Sequence, residues 1–351
     1  MTLGPLDDLM IHQTLDTLDR VASDDPRWME RFWFGVCDPE GEVGLICGLG
    51  TYPNAGMVDA LALVARPGEQ RNLRSWRPLG DSRWTLDAPP LSFGITEPMR
   101  TWRLTAARSD VGMAFDLTFR ARTQPFQMEP SMHIEKDGRL VIAYAHFVQS
   151  GRFDGWIEAG GERYEVDGWL GERDRSWGAR NPSGRVKRGL HIWMPLQLPE
   201  TAPWVWIHER PSGRRTSLSG ALRPDGLGEP DPVTGFTYDL GIREVGHHRI
   251  LDRSRISMAT EGGASLDLET ELMLPVFLSG GGYADDESGQ GVPKQRSGHE
   301  GEVWPTATDD DVAAIPISII DHFVRVGGPG GAGVGVFELS VGEFAPLGYA
   351  D

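Results

Sequence analysis

Apolar and polar residues alternate with a period of two over much of the chain. The clearest case is Val111 to Ala121, where Met113, Phe115, Leu117 and Phe119 alternate with Ala114, Asp116, Thr118 and Arg120. That period puts one set of side chains on each face of a strand. Arg31–Cys37 and Val43–Leu49 flank the turn sequence Asp38-Pro39-Glu40-Gly41 and predict a hairpin. Further strands are predicted at Met57–Val64, Thr101–Ala106, Leu140–Val148, Gly151–Glu158 and Arg163–Leu170. Beyond Asn181-Pro182-Ser183-Gly184 they recur at Leu190–Met194, Trp204–Glu209, Thr216–Leu218, His247–Leu251 and Leu266–Leu274. Asp7–Arg20 predicts a short helix, ended by Asp24-Asp25-Pro26. Gly280–Gly301 reads as a mobile loop, and Val312–Val326 suits either a strand or a buried helix. Helices do not alternate with strands, which disfavours doubly wound sheets and α/β barrels. The expected fold is all-β: two consecutive lipocalin-like antiparallel β-barrel domains, 1–182 with the N-terminal helix and 183–351.

Composition narrows the picture. The chain has 45 Gly and 25 Pro in 351 residues, a turn-rich content without a G-x-Y period, while 12 Trp, 13 Phe and 6 Tyr supply a sizeable core. The net charge of -17 repels nucleic acid and anionic membrane surfaces. With no apolar span of membrane length, stable membrane insertion is not expected, and an apolar small molecule is the expected partner. Cys37 and Cys47 are the only cysteines, and with no secretory leader they read as reduced thiols of a cytoplasmic chain. The oligomeric state is open at this level.

Candidate chemistry concentrates in Arg173-Asp174-Arg175-Ser176-Trp177-Gly178, which follows the strand around Val166-Asp167-Gly168-Trp169. Asp174 is a candidate acid or base if burial raises its pKa, and Arg175 is a candidate to orient it or to bind developing negative charge. The same run reads equally as an ion pair and turn joining two domains. His191-Ile192-Trp193 and Trp206-Ile207-His208 each place a histidine and an indole on one strand face. His191 and His208 are thus candidate proton carriers, with Trp177, Trp193 and Trp206 as pocket walls. His146 shares a face with Tyr144, and both are candidates to hydrogen-bond a substrate oxygen. Tyr52, after Gly48-Leu49-Gly50-Thr51, is expected at a barrel rim. His247-His248 would face opposite ways in a strand, and no His-Glu-x-x-His or cysteine ligand set occurs. Neither Gly48–Pro53 nor Gly327–Gly331 completes a nucleotide-binding loop, so no metal and no cofactor is expected.

Arg173–Gly178 resembles the Arg-Asp-His-Ser-Trp-Gly run of the AttH-like and hydroxyneurosporene synthase superfamily, which includes carotenoid 1,2-hydratases and lipocalin-like isomerases and cyclases. Phe32-Trp33-Phe34, Gly48–Asn54 and Ser75-Trp76-Arg77 extend the resemblance to an uncharacterised bacterial branch, over roughly residues 30 to 320. It implies two lipocalin-like domains with a ligand cavity near their interface. His191-Ile192-Trp193 matches the family's His-x-Trp element, and Arg175 replaces the usual histidine of the signature. The expected activity is a cofactor-independent hydratase, dehydratase or isomerase of an apolar terpenoid-like or aromatic molecule. A non-catalytic hydrophobic carrier and a structural interaction module are the alternatives.

Overall fold

The structure, a computed structural model, describes residues 15, 20–80, 84–128, 132–136, 139–179, 188–283 and 289–349. The helix expected over Asp7–Arg20 falls almost wholly outside the described residues, and so does the boundary at Asn181–Gly184.

The first half supplies β1 Trp28–Cys37, β2 Gly44–Tyr52, β3 Met57–Arg66, β4 Glu69–Pro78, β5 Asp87–Ala88, β6 Leu91–Glu97, β7 Thr101–Ala106, β8 Met113–Ala121, β9 Phe126–Gln127, β10 Met132–Lys136, β11 Arg139–Ala159 and β12 Glu162–Ala179. The second half supplies β13 Leu190–Gln197, β14 Thr201–Glu209, β15 Arg215–Pro224, β16 Asp231–Val245, β17 His248–Thr260, β18 Ser265–Phe277, β19 Gly298–Pro305, the short helix α1 Asp309–Ala313, β20 Ile320–Gly328 and β21 Gly331–Val341. The predicted β1–β2 hairpin forms, with Phe34 opposite Cys47. The apolar segment Val312–Val326 divides: its start ends the helix, which Thr308 and Asp311 cap reciprocally, and its end is strand β20.

Three expectations are corrected. The two successive lipocalin-like barrels do not form. The first sheet is an open path of order β19-β4-β3-β2-β1-β12-β11-β8-β7-β6-β5, with β9 and β10 also paired to β11. The free edge of β4 is taken by β19, so β5 has no ladder to join there. Side chains bridge the gap instead: Ser75 Oγ donates to the Ala88 carbonyl at 2.6 Å and Arg77 Nε to the Asp87 carbonyl at 2.7 Å. The second sheet runs β13-β14-β15-β16-β17-β18-β20-β21 and returns to β13, but between β15 and β16 only Ala221↔Pro232 and Leu222↔Asp231 are paired. Second, the Gly280–Gly301 loop holds the start of β19, while residues 284–288 lie outside the described residues. Third, the strands expected at Leu140–Val148 and Gly151–Glu158 are one, β11, of 21 residues, with a register shift between Phe153 and Gly155.

Among the described residues, alternation along these strands builds three large cores and two small ones. One, including Phe32, Phe34, Trp102, Phe115 and Phe119, fills the curl of the first sheet. A second, including Ile192, Ile207, Phe236 and Phe337, fills the second ring. The third lies between the sheets and joins Trp33, Ile46, Leu61 and Val148 of the first to Trp193, Trp204, Trp206 and Phe323 of the second. Cys37 and Cys47 are free and buried, on opposite faces of the first sheet.

Candidate functional site

β12 lies centrally in the first sheet, with Phe32, Trp33 and Phe34 of β1 opposite Arg175, Asp174 and Arg173, and Phe147, Val148 and Gln149 of β11 on its other side. The Arg173–Gly178 run is therefore strand and not a connection. Its odd residues face the curl of the first sheet and its even residues the second sheet, because successive side chains point to opposite faces.

On the inter-sheet face, ionisable side chains converge from both halves. Arg31 is 6% exposed, and its Nη2 donates to Tyr283 Oη at 3.1 Å. Burial opposes its charge, but Tyr283, Tyr52, Asp59 and Asp174 outweigh burial and raise its pKa. Asp59 lies beyond Gly50 from Arg31, and a Cβ at Gly50 would stand 2.7 Å from Tyr52 Oη and 3.0 Å from Asp59 Oδ1. Only a glycine leaves that space. Burial pushes Asp59 up to about 6, against the pull of Arg31, the Gly291 amide and Tyr52.

The second sheet answers with a row of acids and imidazoles. His191 Nδ1 lies 2.8 Å from His208 Nε2, and His191 Nε2 lies 2.9 Å from Glu338 Oε1. With Glu338 ionised, Nε2–H donates to it and Nδ1 accepts from His208 Nε2–H. Burial, followed by His191, lowers His208 to about 3, with Glu338 opposing, so His208 is neutral. Asp321 is opposite Glu338 in the β20–β21 ladder and 1% exposed. Burial, then Glu338 and Asp174, drive its pKa well above the carboxylate range. Its Oδ1 has no hydrogen-bond partner among the described residues. The cluster thus holds a neutral carboxylic acid beside carboxylates, walled by Trp33, Trp193 and Trp206, with Trp33 and Trp193 edge to face at 5.1 Å.

The fold brings together Asp174, His191, His208, His146, Tyr144, Trp193 and Trp206 on this face. The His146 ring lies 6.4 Å from Trp193 and 6.2 Å from Trp204, and Tyr144 packs on the same core. Arg175 and Trp177 are elsewhere, a correction that follows from treating a strand as a loop. Arg175 pairs with Glu30 and stacks 4.4 Å from the Phe32 ring, and Trp177 meets Phe147, on the face opposite Asp174. Arg175 therefore does not orient Asp174. Tyr52 is not at a rim but 4% exposed beneath Arg31 and Asp59. His247 and His248 sit at a turn with ring centroids 4.0 Å apart, not on opposite strand faces.

Sequence reasoning missed Arg31, Asp59, Asp321, Glu338 and Tyr283. Two left a signal. Asp321 interrupts Ile319-Ile320-Asp321-His322-Phe323, and Glu338 interrupts Val336-Phe337-Glu338-Leu339. A lone acid within an apolar strand run is costly unless a partner or a proton is provided.

Residues 3–350 match the profile described as "Family of unknown function (DUF8625)". No curated protein matches the sequence. Among solved structures, the protein assigned as AttH from Nitrosomonas europaea superposes with a TM-score of 0.54 at 14% identity, covering 91% of this chain and 94% of that one. CghA gives 0.52 at 11%, covering 91% and 89%. Kievitone hydratase from Nectria haematococca gives 0.46 at 13%, covering 89% and 88%. The first two show that this chain shares its fold with the protein assigned as AttH and with CghA.

Proposed function

Because the chain belongs to DUF8625, a family of unknown function, we propose from its own residues that it is a cofactor-independent acid–base enzyme. The reaction class is hydro-lyase or isomerase, and the substrate an apolar terpenoid-like or aromatic molecule. The observation that carries this reading is the buried carboxyl Asp321, kept protonated beside Glu338 and Asp174.

Such a group donates a proton at neutral pH, which an ordinary carboxylate does not. In dehydration, Asp321 gives its proton to the substrate hydroxyl as the C–O bond breaks and water leaves. A carboxylate across the site, Asp174, takes the proton from the adjacent carbon as the double bond forms. The cycle closes when the proton taken up by Asp174 returns to Asp321, with Glu338, the ladder neighbour of Asp321, and the hydrogen-bonded His191–His208 pair as the relay. Hydration is the reverse, and isomerisation uses the two proton transfers without loss of water. The indole walls supply apolar contact and stabilise cationic character.

Turnover of linalool, α-terpineol and a prenylated phenol, followed by gas chromatography, tests the roles. Asp321→Asn is expected to lose about 10²- to 10⁴-fold, the usual worth of a positioned acid. Full activity in both Asp321→Asn and Asp174→Asn would remove the acid–base assignment.

A further inference from the structure

The curl of the first sheet contains a cavity of about 250 Å³ that opens to solvent and is separate from the acid–base cluster. Its walls include Phe32, Leu86, Trp102 and Phe147, with Arg173 and Arg175 among the few polar groups. Three of the molecule's exposed large apolar side chains, Trp84 at 40%, Ile95 at 45% and Met99 at 49%, stand at its mouth. Apolar surface gathered around a concave opening marks a ligand site.

The charge at the cavity is unbalanced. Arg175 is paired with Glu30. Arg173 is 2% exposed, and its Nε and Nη2 both donate to Gln149 Oε1, at 2.9 and 2.5 Å, while Nη2 also reaches Met99 Sδ at 3.5 Å. Trp102, Phe119 and Phe147 surround the guanidinium at 5.7, 5.8 and 5.1 Å. Among the described residues it has no carboxylate hydrogen-bond partner, since its neighbour Glu172 points the other way and is held by Arg223. Burial, with Arg175, lowers Arg173 to about 10 against the longer-range pull of Glu172 and Asp174, so it stays charged at neutral pH. A buried cation whose hydrogen bonds go to neutral groups gains from an anion placed against it.

We infer that this cavity is a second ligand site, for a compact aromatic carboxylate whose ring lies between Trp102 and Phe147 and whose carboxylate meets Arg173 and Arg175. A guanidinium forms strong charge-assisted hydrogen bonds to a carboxylate, and the volume falls just under the ~300–1,000 Å³ of drug-sized pockets. The site is independent of the proposed catalysis, being on the opposite face of β12.

Calorimetric titration of the full chain with 2-naphthoate and its neutral counterpart 2-naphthamide tests the inference. The carboxylate is expected to bind at least ~10-fold more tightly. Glu30→Gln, which releases Arg175, should widen that preference, and Arg173→Gln should remove it. Ile95→Trp, a change at an exposed position in the mouth, should block both probes, and it decides the matter with Glu30→Gln if Arg173→Gln does not fold. Equal affinity for the two probes, no binding of either, or a preference that neither Glu30→Gln nor Ile95→Trp alters would overturn the inference. Asp321→Asn should bind 2-naphthoate as the wild type does, so failure of the catalytic reading is read separately.

Discussion

His208 gives the residue scale a measurable consequence. Its folded pKa of about 3 lies below the unfolded value of 6.5, so the unfolded chain binds the extra proton first. The stability tied to a neutral His208 is therefore complete above pH 6.5 and is lost as pH falls toward 3. At pH 5 the loss is about 2 kcal/mol. Urea unfolding of wild type and His208→Asn at pH 7 and pH 5 should show the difference between them shrinking at the lower pH, and a constant difference would contradict it. Asp59 runs the opposite way. Raised to about 6, it binds its proton more readily when folded, so its cost is present above about pH 6 and fades as pH falls toward 3.8. Single residues such as Asp174 and His191 stood out in the sequence as candidate proton carriers. Asp321 was not, because its chemistry comes from neighbours on β21 and β12 that are distant in sequence.

At the scale of the element, β12 is the instructive case. Its alternation was available in the sequence, yet the charged run Arg173–Gly178 reads as a break because central strands seldom carry so much charge. The charge is tolerated because each face has its own solution. Arg173 is held by aromatic rings and Gln149, while Glu172, 1% exposed, is clasped by Arg223 at 2.6 and 2.9 Å and by Gln197 at 2.8 Å. Glu172→Gln leaves Arg223 charged and buried, and should lower the unfolding free energy by about 3–5 kcal/mol in urea titrations. A loss below about 1 kcal/mol would mean that water or another carboxylate replaces the pair. The β15–β16 seam has two pairs, one at Pro232, which lacks an N–H. Hydrogen exchange should be faster for the β15 amides that face β16 than for those bonded to β14, and equal protection would show a fuller ladder than the structure has.

For the whole molecule, the two halves are not side by side but interlocked. β19, which follows β18 of the second sheet, completes the edge of the first, and the inter-sheet core draws tryptophans from both. A chain ending at residue 182 lacks β19 and leaves Trp33, Ile46, Leu61 and Val148 uncovered. It should bind a hydrophobic dye and lose cooperative unfolding, and a monomeric fragment with a sharp transition would show that the first sheet stands alone. The sequence by itself determined where strands run and which side chains share a face, since alternation is a local consequence of the pleat. It also supplied the His-x-Trp pairs and the all-β class. Tertiary structure alone decided that the first sheet stays open, that Asp321 and Glu338 meet Asp174, and that Arg173 faces a cavity. Strand edges present the same N–H and C=O groups whatever the side chains, so a local pattern does not say which distant edge a strand will join.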